Sequence, residues 1–189
     1  MIMLDDYSKV TTKSSNLAIQ IINTLLSNYP NWCEVEHVQL LLGTCAVESN
    51  LGYYRKQTNG PARGIFQIEP TTAVDLIDRV VFVKYKKLYS HITTECPFYS
   101  KENISTKKQL IGDLLITDDK LSILLARIKY LGDKRATPKD LVGIAETWKR
   151  VYNTYKGKGT INKYIEKYNR YVGDFDQMNK YIADFILDS

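Results

Sequence analysis

Apolar positions recur at intervals of three and four residues along most of the chain, the period of helices buried on one face. Between Ser15 and Asn28 they are Leu17, Ala18, Ile21, Ile22, Leu25 and Leu26, and Pro30 ends the run. Asn31 followed by Glu34 predicts a capping box, after which Val35, Val38, Leu41, Leu42, Cys45 and Val47 extend a second helix. That helix is expected to end between Glu48 and Gly52, because Asn50 and Gly52 tolerate a left-handed cap. The period is then lost until Pro70. Gly60, Pro61 and Gly64 lead into the β-prone run Ile65 to Ile68, which predicts a loop with a small hairpin.

Helices are predicted again from Pro70 to Lys84, from Lys107 to Leu115, and from Asp118 to Leu131, with Asp118 as cap and Gly132 as stop. Another is expected from Thr137 to Val151, with Pro138 at its first helical position. Ile161, Tyr164, Ile165, Tyr168, Tyr171 and Val172 carry the pattern on, and Tyr181, Ile182, Phe185 and Ile186 repeat it. Tyr89 to Ser105, with Pro97 and little periodicity, reads as a surface loop. The fold class is mainly α with one irregular β-like patch. No repeat or linker divides the chain, so residues 1–189 are expected to form one domain.

Composition excludes some classes and leaves function open. With 189 residues, 44% hydrophobic and 25% charged, the chain suits a compact globular domain and not a disordered or fibrous one. The formal net charge is +5, its excess lying between residues 51 and 150. Such an excess serves nucleic acid, an anionic membrane or an acidic polymer such as cell wall equally well. Lys149, Arg150, Lys156, Lys158 and Lys163 are the residues a nucleic-acid binder would use, but the charge is modest and no nucleic-acid partner is expected. No apolar run approaches the roughly 20 residues of a membrane span. The opening MIMLDDYSKV has Asp5 and Asp6 where a secretory signal carries basic residues, so no signal peptide is expected. Cys33, Cys45 and Cys96 lack framework spacing and are expected to be free thiols.

The chemistry narrows by elimination. There is no GxSxG and no CxxC, and the GKGT at 157–160 is a flexible basic turn rather than a phosphate loop. Cys33 and His37 are four apart without a second pair, so neither a metal nor another cofactor is expected. With His37 and His91 the only histidines, acid and base work falls to carboxylates. Glu48 follows the mostly apolar string Leu40 to Val47 at a helix C-terminus, where desolvation and the helix dipole both disfavour its charge. A carboxyl kept protonated near neutral pH is what general-acid cleavage of a glycosidic bond requires. The competing reading is a solvated surface acid. For a second carboxylate the candidates are Glu69, more simply explained as an acid at the start of the next helix, and Glu146, more simply explained as a solvated helix residue.

The run AVESNLGYYRKQTNGPARGIFQIEP, Ala46 to Pro70, resembles the catalytic core of the lysozyme-like superfamily in its lytic transglycosylase branch. Glu48-Ser49 matches the Glu-Ser pair that closes a core helix in that family, and Gly64-Ile65-Phe66-Gln67 matches its Gly-Leu-Met-Gln-type cleft motif. The run WKRVYNTYKGKGT, Trp148 to Thr160, is similar to a segment of small transglycosylase-like proteins of tailed phages. The likeness covers Val38 to Tyr168 in patches and leaves out the helices in 1–30 and 170–189. It implies a lysozyme-like helical domain that cuts the β-1,4 bond between N-acetylmuramic acid and N-acetylglucosamine in peptidoglycan glycan strands. Glu48 would be the acid, Ser49 its orienting partner, and Gln67 a residue that hydrogen-bonds the substrate or the cleft backbone. Tyr53 and Tyr54, read from their residue type alone, form either a sugar-stacking wall or partly buried packing. The family's third motif has no clean counterpart: one alignment selects Glu146, Thr147 and Trp148, the other Tyr152 and Asn153, and the latter pair is favoured as cleft residues. Arg55, Lys56 and Arg63 are solvated charges or attract stem-peptide carboxylates. The implied setting is a phage lysin in the host cytoplasm before release through a pore, or a virion-associated enzyme with virion proteins as partners. The alternative is a non-catalytic wall-binding or virion structural protein on the same scaffold.

Overall fold

A helix apolar around its whole circumference cannot lie on a surface, and helix α2 (Val35–Ser49) is of this kind: every residue from Val38 to Ala46 is buried. In this computed structural model, which describes residues 8–155 and 157–189, α2 is the axis of a mainly α fold. Around it pack α1 (Thr12–Asn28), α7 (Asp119–Leu131), α8 (Leu141–Thr147), α9 (Ile161–Tyr171) and α10 (Phe175–Leu187). The polar groups buried on α2 are satisfied, as burial requires. Gln39 donates to Asn179 Oδ1 at 2.7 Å and accepts from the Tyr168 hydroxyl, and Thr44 Oγ1 donates to Leu40 O at 2.7 Å. Gly43 admits the Tyr164 ring against the α2 backbone, since a Cβ there would lie 2.0 Å from the Tyr164 hydroxyl.

The remaining elements form a second layer. Helix α3 (Pro70–Leu76) runs through a π-turn (Ile77–Val81) into the short α4 (Phe82–Lys84), followed by α5 (Lys86–Glu95) and α6 (Ile104–Thr117). Helix α3 packs on α6 and α7. A second π-turn (Trp148–Asn153) continues α8. The β-like patch amounts to the isolated bridges Lys56 to Arg63 and Arg63 to Ile68.

Several local expectations change. Asn31 caps nothing: Pro30–Trp32 is a 3-10 turn, and Glu34 is the N-cap of α2 without a side-chain bond. The predicted loop from Tyr89 is helical through Glu95, and its Tyr99 is wholly buried with the hydroxyl donating to Asp78 Oδ1 at 3.0 Å. The helix expected from Thr137 begins at Leu141, because the Asp140 side chain takes the Gly143 N–H at 2.9 Å, leaving Pro138 outside. Asp118 caps α7 as expected, accepting from Leu121 N. Gly132 ends that helix in the right-handed region, not the left-handed one. Cys33, Cys45 and Cys96 are buried free thiols. Among the described residues no helix is long and apolar enough to cross a membrane. Asp5, Asp6 and Lys156 lie outside the described residues.

Candidate active-site cleft

Glu48 is the penultimate residue of α2, half-buried, and its Oε1 accepts a hydrogen bond from Trp148 Nε1 at 3.0 Å. Burial raises its carboxyl above the usual glutamate range. The Trp148 N–H and the charges of Lys129 and Lys163 pull it back without cancelling that rise. The acid is therefore biased toward its protonated form and fixed in direction.

Ser49 does not orient this carboxyl. Its buried hydroxyl donates to Ile65 O at 2.5 Å and accepts the Gly52 N–H at 2.7 Å, so it ties the following loop to the end of α2. Cys45 Sγ reinforces the tie by donating to the same carbonyl at 3.3 Å. Asn50, Leu51 and Gly52 then reverse the chain with φ of 54°, 55° and 79°. Arg55, expected as a solvated charge, is a strut: its guanidinium holds Asp119 at 2.5 and 3.0 Å and Ile116 O at 3.1 Å. Gly64, at φ 75°, needs its missing side chain, because a Cβ would fall 2.3 Å from Leu115 O and 2.8 Å from Ser122 Oγ. The loop thus lies directly on the α6–α7 junction. Gln67, also left-handed at φ 48°, spends its amide N–H groups on Gly64 O (2.8 Å) and Tyr54 O (3.2 Å), which makes it part of the cleft frame.

The opposite wall comes from the π-turn. The buried Tyr152 donates to Phe66 O at 2.8 Å, and its own carbonyl accepts Lys129 Nζ at 3.0 Å. That ammonium also sits 3.9 Å from the Tyr152 ring centroid. Asn153 Oδ1 accepts Lys149 Nζ at 2.8 Å, and the same lysine bonds Gly157 O at 2.7 Å. Burial lowers the basicity of Lys129, while Glu48 and Glu69 act in the other direction.

Between the walls lies a cavity of about 560 Å³ that brings together Glu48, Gln67, Glu69, Lys129, Tyr152 and Asn153. Ser49 stands behind this surface, and Tyr54 is absent from it, lining a different groove with Tyr53. Glu146 is exposed on α8 and does not line the cleft, whereas the exposed Glu69 does. Trp148, the member of the less favoured alignment, is the residue that touches Glu48. Sequence reasoning misses Lys129 altogether. Its signal is a lone ammonium in the otherwise apolar sequence Ile128 to Leu131, on a helix buried from Leu121 to Ile128. His37 faces Trp32 O through Nδ1 at 3.1 Å, and among the described residues no group of three His, Cys, Asp or Glu side chains is arranged to hold a metal.

Chemically, the cleft offers an acid whose proton affinity is raised by burial, a second carboxyl group in its lining, and a cation whose position is fixed by a carbonyl and a ring. No family model, curated protein or solved structure matches the chain.

Proposed function

We propose that the chain is a peptidoglycan glycosidase that cleaves the β-1,4 bond between N-acetylmuramic acid and N-acetylglucosamine, with Glu48 as general acid and then base. The observation that carries this reading is the half-buried Glu48 carboxyl, raised by burial and aimed by the Trp148 N–H into a polar cleft. Support comes also from the Glu48-Ser49 and Gly64 to Gln67 motifs, whose likeness to lytic transglycosylases suits a lysozyme-like phage lysin or virion-borne enzyme.

In the first step the Glu48 proton passes to the glycosidic oxygen, the bond from the muramyl anomeric carbon breaks, and N-acetylglucosamine leaves as an alcohol. The muramyl carbon is left electron-poor beside the new Glu48 carboxylate. In the transglycosylase outcome the sugar's own C6 hydroxyl attacks that carbon and gives its proton to Glu48, closing an anhydro ring and restoring the acid. No second carboxylate is needed. Lys129, close enough to influence Glu48, favours the ionised intermediate state of that cycle.

Glu69 favours a second reading of the same site. An additional carboxylate lining the cleft can take the proton of a water molecule, which yields hydrolysis and a reducing end. Glu48→Gln keeps the shape and the acceptor for Trp148 but removes the proton, and is expected to abolish release of soluble muropeptides from purified sacculi. Undiminished release would overturn the assignment, and binding to sacculi without any release by the native chain would favour a wall-binding protein. Mass spectrometry of the products separates anhydro ends from reducing ends, and Glu69→Gln lowers only the latter if water is activated there.

A further inference from the structure

The left-handed run Asn50–Leu51–Gly52 carries the chain away from the cleft to Tyr53 and Tyr54, which are 72% and 51% exposed. A bulky residue such as Leu51 rarely adopts φ of 55°, and conformations of this kind persist where the surroundings enforce them. Here the enforcement is visible. The Leu51 side chain is buried at 5% exposure, the Tyr54 N–H is held by Ser49 O at 3.0 Å, and the Tyr54 carbonyl by Gln67 Nε2 at 3.2 Å. Two aromatic rings, edge to face at 4.8 Å and 84°, are thus displayed to solvent on a backbone already fixed. Exposed aromatic area on a rigid support loses little freedom when a ligand covers it.

The rings form one side of a groove of about 460 Å³. Tyr171 forms another side, with Lys13 and Arg170 at its margins and, among the described residues, no acidic side chain in its lining. The cations are positioned on fixed groups. Lys167 Nζ donates to Asn50 Oδ1 at 3.0 Å and lies 5.0 Å from the Tyr171 ring centroid, while the Arg170 guanidinium lies 5.5 Å from it. Lys13 Nζ reaches Asn50 O at 3.5 Å. Flat apolar faces suit the C–H faces of sugar rings, and surrounding ammonium and guanidinium groups suit carboxylates.

We propose that this groove is a second glycan-binding site, distinct from the Glu48 cleft, for an amino-sugar polymer that carries carboxylate substituents. The assignment of this polymer rests on the wall-glycan reading of the cleft. One segment, residues 50–67, builds part of both sites, and Gln67 joins them by lining the cleft while holding the Tyr54 backbone.

The test uses Glu48→Gln protein, so that binding is measured without cleavage, and soluble peptidoglycan strands bearing stem peptides as the probe. Amide shift mapping is expected to show perturbation at 50–54 and 170–171 in addition to the cleft. Adding Tyr53→Ala and Tyr54→Ala should remove the first set and weaken binding about tenfold. The thermal melt should stay unchanged, since both rings are exposed. Arg170→Glu should abolish the preference for these strands over neutral chitohexaose. Shifts confined to the cleft, shifts that survive the tyrosine changes, or equal perturbation of 50–54 by free stem peptide would overturn the proposal. Failure of cleavage is detected separately, as sacculi left intact by the native protein, and does not alter this readout.

Discussion

The two walls of the Glu48 cleft are built by different means. One wall, from Glu48 to Gln67, is shaped mainly by bonds between residues close in sequence, Ser49 and Cys45 on Ile65 O and Gln67 on Gly64 and Tyr54, with Arg55 anchoring it to Asp119 and Ile116. The other is assembled from afar. Trp148 reaches Glu48 across 100 positions, Tyr152 reaches Phe66 across 86, and Lys129 braces the π-turn from α7. The near wall sets the shape of the site, and the far wall sets the electrostatics of the acid. Shape and proton affinity are accordingly separable by mutation.

The largest effect should come from the near wall. Gly64→Ala forces a side chain into the left-handed region, at roughly 1–2 kcal/mol, and drives its Cβ against Leu115 O, adding about as much again. Urea unfolding is expected to show a loss of about 3 kcal/mol, and a change below about 1 would mean that the loop does not rest on the α6–α7 junction. Ser49→Ala comes next, at about 1–3 kcal/mol, since the Gly52 N–H loses its acceptor and Ile65 O its closest donor. Activity should fall with loop order, while the pH at which activity is lost on the alkaline side stays where it is. A displaced alkaline limb would instead make Ser49 a partner of the acid.

The far wall should answer in the opposite manner. Trp148→Phe removes a donor that favours the ionised form of Glu48, so its proton affinity rises and the alkaline limb of kcat/KM moves to higher pH. The rate at neutral pH should drop about tenfold, the worth of one hydrogen bond to a charged group. Lys129→Met should move the limb in the same direction by a smaller amount, with stability changed by about 1 kcal/mol or less, because a lost bond to Tyr152 O is offset by an apolar side chain in a half-buried position. A limb moving to lower pH in either variant would contradict the electrostatic role assigned to this wall.

The same division decides how much is legible in the sequence. The helices of the core are legible because their apolar period is uninterrupted, and Glu48 is legible because an acid closing an apolar helix is a local anomaly. Gln67 shares a short segment with it. Trp148 cannot be separated from Tyr152 and Asn153 by pattern, because a π-turn has no 3.6-residue period on which to align it. Ser49 and Tyr54 fall near the acid in sequence, but neither lines its cleft. A left-handed turn that sends one hydroxyl inward and two rings outward leaves no trace in hydrophobic patterning. The helix over Tyr89 to Glu95 is hidden by polar residues on an amphipathic surface, and the start of α8 by a proline that lies before the cap rather than after it.

The π-turn at Trp148–Asn153 also makes the site sensitive to chain length rather than to side-chain identity. A π-turn holds one more residue than the α-turn it replaces. Loss of a single codon there would let the helix close into ordinary α geometry and reset the spacing between Trp148 and Tyr152, on which simultaneous contact with Glu48 and Phe66 O depends. The same deletion in the stretch between Gly132 and Asp140, which carries neither a helix nor a cleft residue, would be absorbed by the connection. Insertions and deletions are therefore expected to be tolerated in one of these adjoining segments and purged from the other.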